Sequence, residues 1–206
     1  MNGNERKDFF RERFSAAVLA GGKSSRMGKD KTELPFQGMT LLEYQAARIQ
    51  EIGISDVMIS GKKAEIPGTR DIRDVYPGQG PLAGLHACLC SALRDNCLLI
   101  GTDTPLVPRE TLETLLAEHS RGDQKITMLV HGDCFEPLIA VYCRDLAETA
   151  EKMLEEGKRS MRELIRNVPC WFVNYSGNTD MLLNCNTQQE YQRLLMLVRE
   201  KEKGEK

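Results

Sequence analysis

Residues 97–101 read Cys-Leu-Leu-Ile-Gly, a run so nearly apolar that it predicts a central strand buried on both faces. A strand of that kind needs helices above and below it. The rest of the chain supplies them, because short apolar runs alternate with amphipathic helical stretches from end to end. The expected fold class is α/β, a single three-layer domain with a mostly parallel, Rossmann-like central sheet.

Strands are expected at 16–20, 57–60, 70–74, 126–130, 138–142 and 171–173. Thr40-Leu41-Leu42-Glu43 is a capping box, and Leu42, Ala46, Ile49 and Ile52 share one face of the helix it opens, which Gly53 closes. Leu82, Leu85, Leu89 and Leu93 line a second helix, and Leu112, Leu115, Leu116 and His119 a third. A helix from Leu146, a short one capped by Ser160 with Glu163, and a last one opened by the Thr187–Glu190 box complete the pattern. Residues 1–14 read as a polar lead-in, 15–200 as the domain and 201–206 as a charged tail.

Charge excludes one class of function. Lysine and arginine total 28 against 30 acidic residues, a net charge of -2, so there is no basic footprint for nucleic acid. No stretch has the length of a membrane-spanning helix. The seven cysteines are odd in number and contain no C-x-x-C pair, which argues against a disulfide framework or a zinc site and fits the reducing cytoplasm. His86, His119 and His131 have no ligand spacing and read as packing residues, and no Ser/His/Asp or Cys/His set suggests a covalent nucleophile.

The chemistry concentrates in residues 19–31, L-A-G-G-K-S-S-R-M-G-K-D-K, directly after the first strand. Glycines let backbone N–H groups approach an anion closely and the cations neutralise it, so a triphosphate is the natural ligand. A Walker A loop would require glycine at position 17, where Ala17 stands. The dinucleotide fingerprint G-x-G-x-x-G is absent as well, because Gly21 and Gly22 are adjacent.

What stands there resembles the L-A-G-G-x-x-x-R-M-G-x-D-K signature of molybdenum cofactor guanylyltransferases, with every fixed position filled. Further segments resemble the same family. Asp74 precedes the Gly80-Pro81-Leu82-Ala83-Gly84 loop, where a carboxylate and a helix N-terminus can hold a nucleoside, although Pro81 also suits an ordinary first helical position. Asp103-Thr104-Pro105 follows the apolar strand, where a carboxylate can meet a metal or simply begin a turn. Asn184-Cys185-Asn186-Thr187 matches an N-x-N-T segment and is equally compatible with a turn and a helix cap. Glu136-Pro137-Leu138 resembles a segment on the family's acceptor side.

The resemblance implies a nucleotidyltransferase that moves GMP from GTP to the terminal phosphate of molybdopterin. It implies catalytic roles for Arg26, Lys31 and Asp103, with Mg²⁺ on Asp103. Nucleotide contacts fall to Leu19, Ala20, Gly21, Gly22, Lys31, Asp74, Gly80 and Asp103, and acceptor contacts to Asn184 and Asn186. Other molybdenum cofactor biosynthesis proteins and molybdoenzyme chaperones are the implied protein partners. Related cytidylyltransferases look like L-A-A-G, so Gly21 leaves room for a purine. Two alternatives stay open: a sugar or polyol phosphate acceptor with CTP or GTP, whose enzymes usually place proline where Asp30 stands before Lys31, and a GTP-binding adaptor without catalysis, which would not need Asp103.

Overall fold

The computed structural model describes residues 2–21 and 30–204. Its first half runs α1 (Gly3–Arg13), β1 (Phe14–Leu19), a 3₁₀ turn (Lys31–Glu33), β2 (Pro35–Phe36), β3 (Met39–Thr40), α2 (Leu41–Ile52), β4 (Asp56–Ser60) and β5 (Thr69–Ile72). The second half runs α3 (Pro81–Ser91), β6 (Asn96–Gly101), α4 (Arg109–His119), β7 (Ile126–His131), β8 (Cys134–Cys143), α5 (Leu146–Glu155), α6 (Met161–Arg166), β9 (Cys170–Asn174), a second 3₁₀ turn (Thr179–Leu182) and α7 (Gln188–Gly204).

The apolar run at 97–101 does occupy the centre. The strand order is β5-β4-β1-β6-β8-β7-β9, with β6 fourth of seven. β1 pairs in parallel with both β4 and β6, whereas β8 runs antiparallel between β6 and β7. Leu98 and Ile100 face the layer of α1, α2 and α4; Cys97 and Leu99 face α3, α5 and α6. A third cluster joins α7 to the β2–β3 hairpin through Phe36, Leu41, Tyr191 and Leu194.

Several boundaries differ from expectation for identifiable reasons. The lead-in is a helix, α1, capped by Asn2 with Glu5 in a capping box, and Phe10 is only 2% exposed. Its seven charged residues hide an i, i+4 pair, Phe10 and Phe14, whose rings meet edge-on at 6.0 Å. β1 therefore begins at Phe14. The third strand ends at Ile72, leaving Asp74 in the following loop. Leu93 lies past the end of α3 and is 63% exposed. At the other end, α7 continues to Gly204, so the charged tail is largely helix. The β2–β3 hairpin went unread; its turn needs positive φ at Gln37 (48°) and Gly38 (82°), where only the second residue is a glycine.

His119 closes α4 in the core at 5% exposure. Its Nε2 lies 2.9 Å from Asn96 Oδ1, which can only accept, so Nε2 carries the proton. Nδ1 accepts from the Thr127 hydroxyl at 2.9 Å, while Gln124 Nε2 donates to that same oxygen at 3.0 Å. The neutral ring is satisfied, and burial pushes its pKa from 6.5 down to about 4. The unfolded chain therefore takes up this proton first. Stability from the neutral ring is complete above pH 6.5, drains away as pH falls, and stops changing below about 4. At about 1.4 kcal/mol per pH unit, the wild type should lose roughly 3 kcal/mol relative to His119→Gln across that window. Denaturant unfolding of both proteins from pH 7 to 4 checks this; parallel pH profiles would contradict it.

Candidate active site

Parallel register sets the floor of the site. Leu19 lies level with Ser60 on one side and Gly101 on the other, so β4, β1 and β6 end together. Ala20 N donates to Ser60 O at 2.8 Å, and Thr102 donates to Leu19 O from both its N–H (3.3 Å) and its hydroxyl (2.9 Å). Ala20 N and Leu19 O are thus already spent in joining strand ends. Gly21 passes close to Gly61, where a Cβ would stand 2.6 Å from the Gly21 backbone and φ is +90°. Gly61 escaped the sequence reading, and its only cue was a glycine directly after a strand. Gly22 and Arg26 lie outside the described residues.

One wall is the start of α3. Gly80 precedes Pro81 at φ 78°, a conformation that suits glycine, and the helix has no side-chain cap; Pro81 has no N–H and Ala83 N donates to Gly80 O at 3.1 Å, so the Leu82 N–H and the positive end of the helix dipole are what the first turn offers an anion. Gly84 packs against the strand ends, since a Cβ there would come within 3.0 Å of Leu19 Cδ2 and of Ser60 Oγ. The Ser60 hydroxyl donates to Asp74 Oδ1 at 2.7 Å. Ser60 therefore orients the carboxylate that the sequence reading singled out.

Just past the end of β6, three distant segments converge. Lys31 Nζ donates to Asp103 Oδ2 at 2.9 Å and to Asn186 Oδ1 at 3.1 Å. Asp103 is 8% exposed, and its carbonyl accepts from Cys185 N at 2.7 Å, which ties the asparagine segment to β6. Asn184 lies on that segment, half-buried. Thr187 and Glu190 do form the expected helix cap, with Glu190 Oε2 also accepting from Asn186 N at 2.9 Å. Asn186 thus serves the cap with its backbone and the cluster with its side chain.

Asp30 explains how Lys31 is aimed. Its carboxylate accepts from Thr32 N at 3.0 Å and Thr32 Oγ1 at 2.7 Å, capping the 3₁₀ turn. Lys62 grips the same turn, donating to Asp30 (2.9 Å), Thr32 (3.0 Å) and Glu33 (2.6 Å). Burial alone would raise the Asp30 pKa, but the bonds from Lys62 and Thr32 outweigh it and hold the carboxyl below its ordinary range. Burial likewise opposes the Lys62 charge, and Glu33 and Asp30 override it, raising that ammonium. Lys62 is a second residue that the sequence reading missed.

Asp103 Oδ2 and Asn186 Oδ1 meet at one point, now held by the Lys31 ammonium. A hard divalent cation would find there two oxygen ligands, leaving the rest of its shell to phosphate and water. No cluster of three or more His, Cys, Asp or Glu side chains suited to a metal exists among the described residues. The histidines stay out of the site: His119 and His86 are core residues, and His131 pairs with Glu136 at 3.0 Å. Leu138 borders the site, 3.6 Å from where a Gly101 Cβ would stand.

Comparison with known proteins finds relatives that span most of the chain. The MobA-like NTP transferase domain matches residues 16–171. A probable molybdenum cofactor guanylyltransferase of Carboxydothermus hydrogenoformans is 32% identical over 93% of this chain and 100% of its own. The molybdenum cofactor guanylyltransferase of Xanthomonas euvesicatoria is also 32% identical, over 88% of this chain and 94% of its own. Among solved structures, molybdopterin-guanine dinucleotide biosynthesis protein A of Archaeoglobus fulgidus superposes with a TM-score of 0.77 at 23% identity, covering 90% of this chain and 99% of its own. That last likeness is one of fold.

Gly101 supplies a sharp test of the geometry. A Cβ there would lie 2.4 Å from Asp103 Oδ1, so Gly101→Ala must turn the carboxylate away from its present position. The strand backbone accepts alanine, so the protein should fold normally while Mn²⁺ affinity, read by the spin resonance of the free ion, weakens about ten-fold or more. Unchanged Mn²⁺ affinity would remove the Asp103 carboxylate from the metal site.

Proposed function

The chain belongs to the MobA-like NTP transferase family, and on that premise we propose that it transfers GMP from GTP to the terminal phosphate of molybdopterin. It is a nucleotidyltransferase. The observation that carries the reading is the convergence of Asp103 and Asn186 on Lys31 beside the level ends of β1, β4 and β6. The choice of base and acceptor rests on the two guanylyltransferases that are 32% identical over most of both chains.

In the proposed reaction an oxygen of the acceptor phosphate forms a bond to the α-phosphorus of GTP. The bond from that phosphorus to the α–β bridging oxygen breaks, and pyrophosphate leaves with the electron pair. The attacking phosphate is already ionised near neutral pH, so no general base is required, and rate comes from positioning and charge neutralisation. Mg²⁺ is the ion we assign to Asp103, with Asn186 beside it; when bound, it neutralises phosphate charge. Lys31, released from Asp103, neutralises the triphosphate, and Arg26 does the same from the Gly-rich loop. Leu19, Ala20, Gly21 and Gly22 shape the nucleotide floor, and Gly80 opens the α3 N-terminus to it. Asp74, oriented by Ser60, holds the guanosine. Asn184 faces the acceptor, and Asn186 borders both acceptor and metal.

Among the described residues no helix is long and apolar enough to cross a membrane, and all seven cysteines are free thiols. We place the protein in the cytoplasm, where molybdenum cofactor biosynthesis proteins and molybdoenzyme chaperones would be its partners.

Purified protein given molybdopterin, Mg²⁺ and either GTP or CTP should yield the guanine dinucleotide, identified by mass. GTP should bind at least about ten-fold tighter than CTP, a gap of about 1.4 kcal/mol. Asp103→Ala should cut turnover by about two to four orders of magnitude while barely changing metal-free GTP binding, whereas Lys31→Ala should weaken both. Equal binding of the two nucleotides would sink the base assignment, and wild-type turnover in the Asp103 variant would sink the metal role.

A further inference from the structure

α2 carries two polar side chains on its inner side that the reaction does not use. Gln45 is fully buried, and its Nε2 donates to Gly101 O at 2.8 Å. One turn later, Arg48 donates to Gln45 Oε1 at 2.9 Å and to Pro105 O at 2.8 Å, and a second guanidinium nitrogen donates to Val107 O. No carboxylate forms an ion pair with Arg48 among the described residues, so its donors go to main-chain and amide oxygens. Burial pushes its guanidinium below the ordinary value, a cost that Tyr44, Glu51 and Glu110 only partly offset.

The carbonyls gripped this way bracket Asp103 from Gly101 to Val107. This segment contains Pro105 and ends against Pro108, and prolines lack the N–H that might otherwise anchor it. The arrangement is an anchor for a loop that regular secondary structure does not hold. We infer that Gln45 and Arg48 are positioning residues that fix the Asp103 loop for metal binding, acting through the carbonyls of Gly101, Pro105 and Val107. The inference rests on the reading that Asp103 holds the metal. Its physical necessity lies in the Lys31–Asp103 pair. When Lys31 turns to the triphosphate, the carboxylate loses the partner that orients it, and only its backbone anchors keep it aimed.

The test compares Gln45→Met, Arg48→Met and Arg48→Lys with the wild type and with Asp103→Asn. Mn²⁺ is titrated into each protein with GTP present, metal-free GTP binding is measured by calorimetry, and melting curves identify folded variants. Gln45→Met and Arg48→Met should weaken Mn²⁺ binding about ten- to hundred-fold, the usual cost of losing an outer-shell partner. Metal-free GTP binding should match the wild type, and kcat should fall with KM for GTP unchanged. Arg48→Lys keeps the charge but cannot span two carbonyls, so it should recover only part of the affinity. If Arg48→Met does not fold, the other two variants decide. Wild-type Mn²⁺ affinity in the folded brace variants, beside a loss in Asp103→Asn, overturns the brace and leaves the metal assignment standing. Wild-type affinity in Asp103→Asn removes the metal assignment, and the brace with it.

Discussion

Four segments remote in sequence are tied to three consecutive residues, Gly101, Thr102 and Asp103. Gln45 on α2 binds the Gly101 carbonyl, Thr102 binds the end of β1 at Leu19, Cys185 binds the Asp103 carbonyl, and Lys31 binds the Asp103 carboxylate. All of this depends on β6 ending where it does. Because β6 is buried on both faces, its register is fixed by packing, and Gly101 leaves the space into which the Asp103 carboxylate folds back. The central strand therefore sets both the core and the coordinates of the site.

The Lys31–Asp103 pair is a poor device for stability. Both side chains are largely withdrawn from water, and the desolvation of two charges commonly cancels what their attraction returns. In the reaction we propose, its value is in exchange: a divalent cation takes the place of the ammonium between the Asp103 and Asn186 oxygens, and the ammonium turns to the phosphates. Around that exchangeable centre the contacts are fixed ones: Asp30 and Lys62 hold the turn that bears Lys31, Ser60 holds Asp74, and Gln45 with Arg48 holds the loop after β6. A reaction that needs no general base gains most from such fixed geometry.

Much of this was legible in the sequence, and the rest was not for physical reasons. The 97–101 run, the capping box at Thr40 and the helix caps at Ser160 and Thr187 were readable because burial and capping act on neighbours in the chain. α1 was hidden because dense charge masked two phenylalanines. Gln45, Arg48, Ser60 and Lys62 look like ordinary polar residues in sequence, because, apart from the Arg48–Gln45 contact, their partners lie 14 to 59 positions away. Lys31 was named from the signature and Asp103 from the segment after the apolar strand, but their direct contact, and the entry of Asn186 into it, appear only in three dimensions.

The most direct measurement is a crystal structure with an unreactive GTP analogue and Mn²⁺, the ion located by its anomalous scattering. Mn²⁺ should lie between the Asp103 carboxylate and the Asn186 side-chain oxygen, with Lys31 Nζ moved onto the phosphates and guanosine against Asp74. An intact Lys31–Asp103 pair, with the ion or the nucleotide bound elsewhere, would contradict the exchange at the centre of this site.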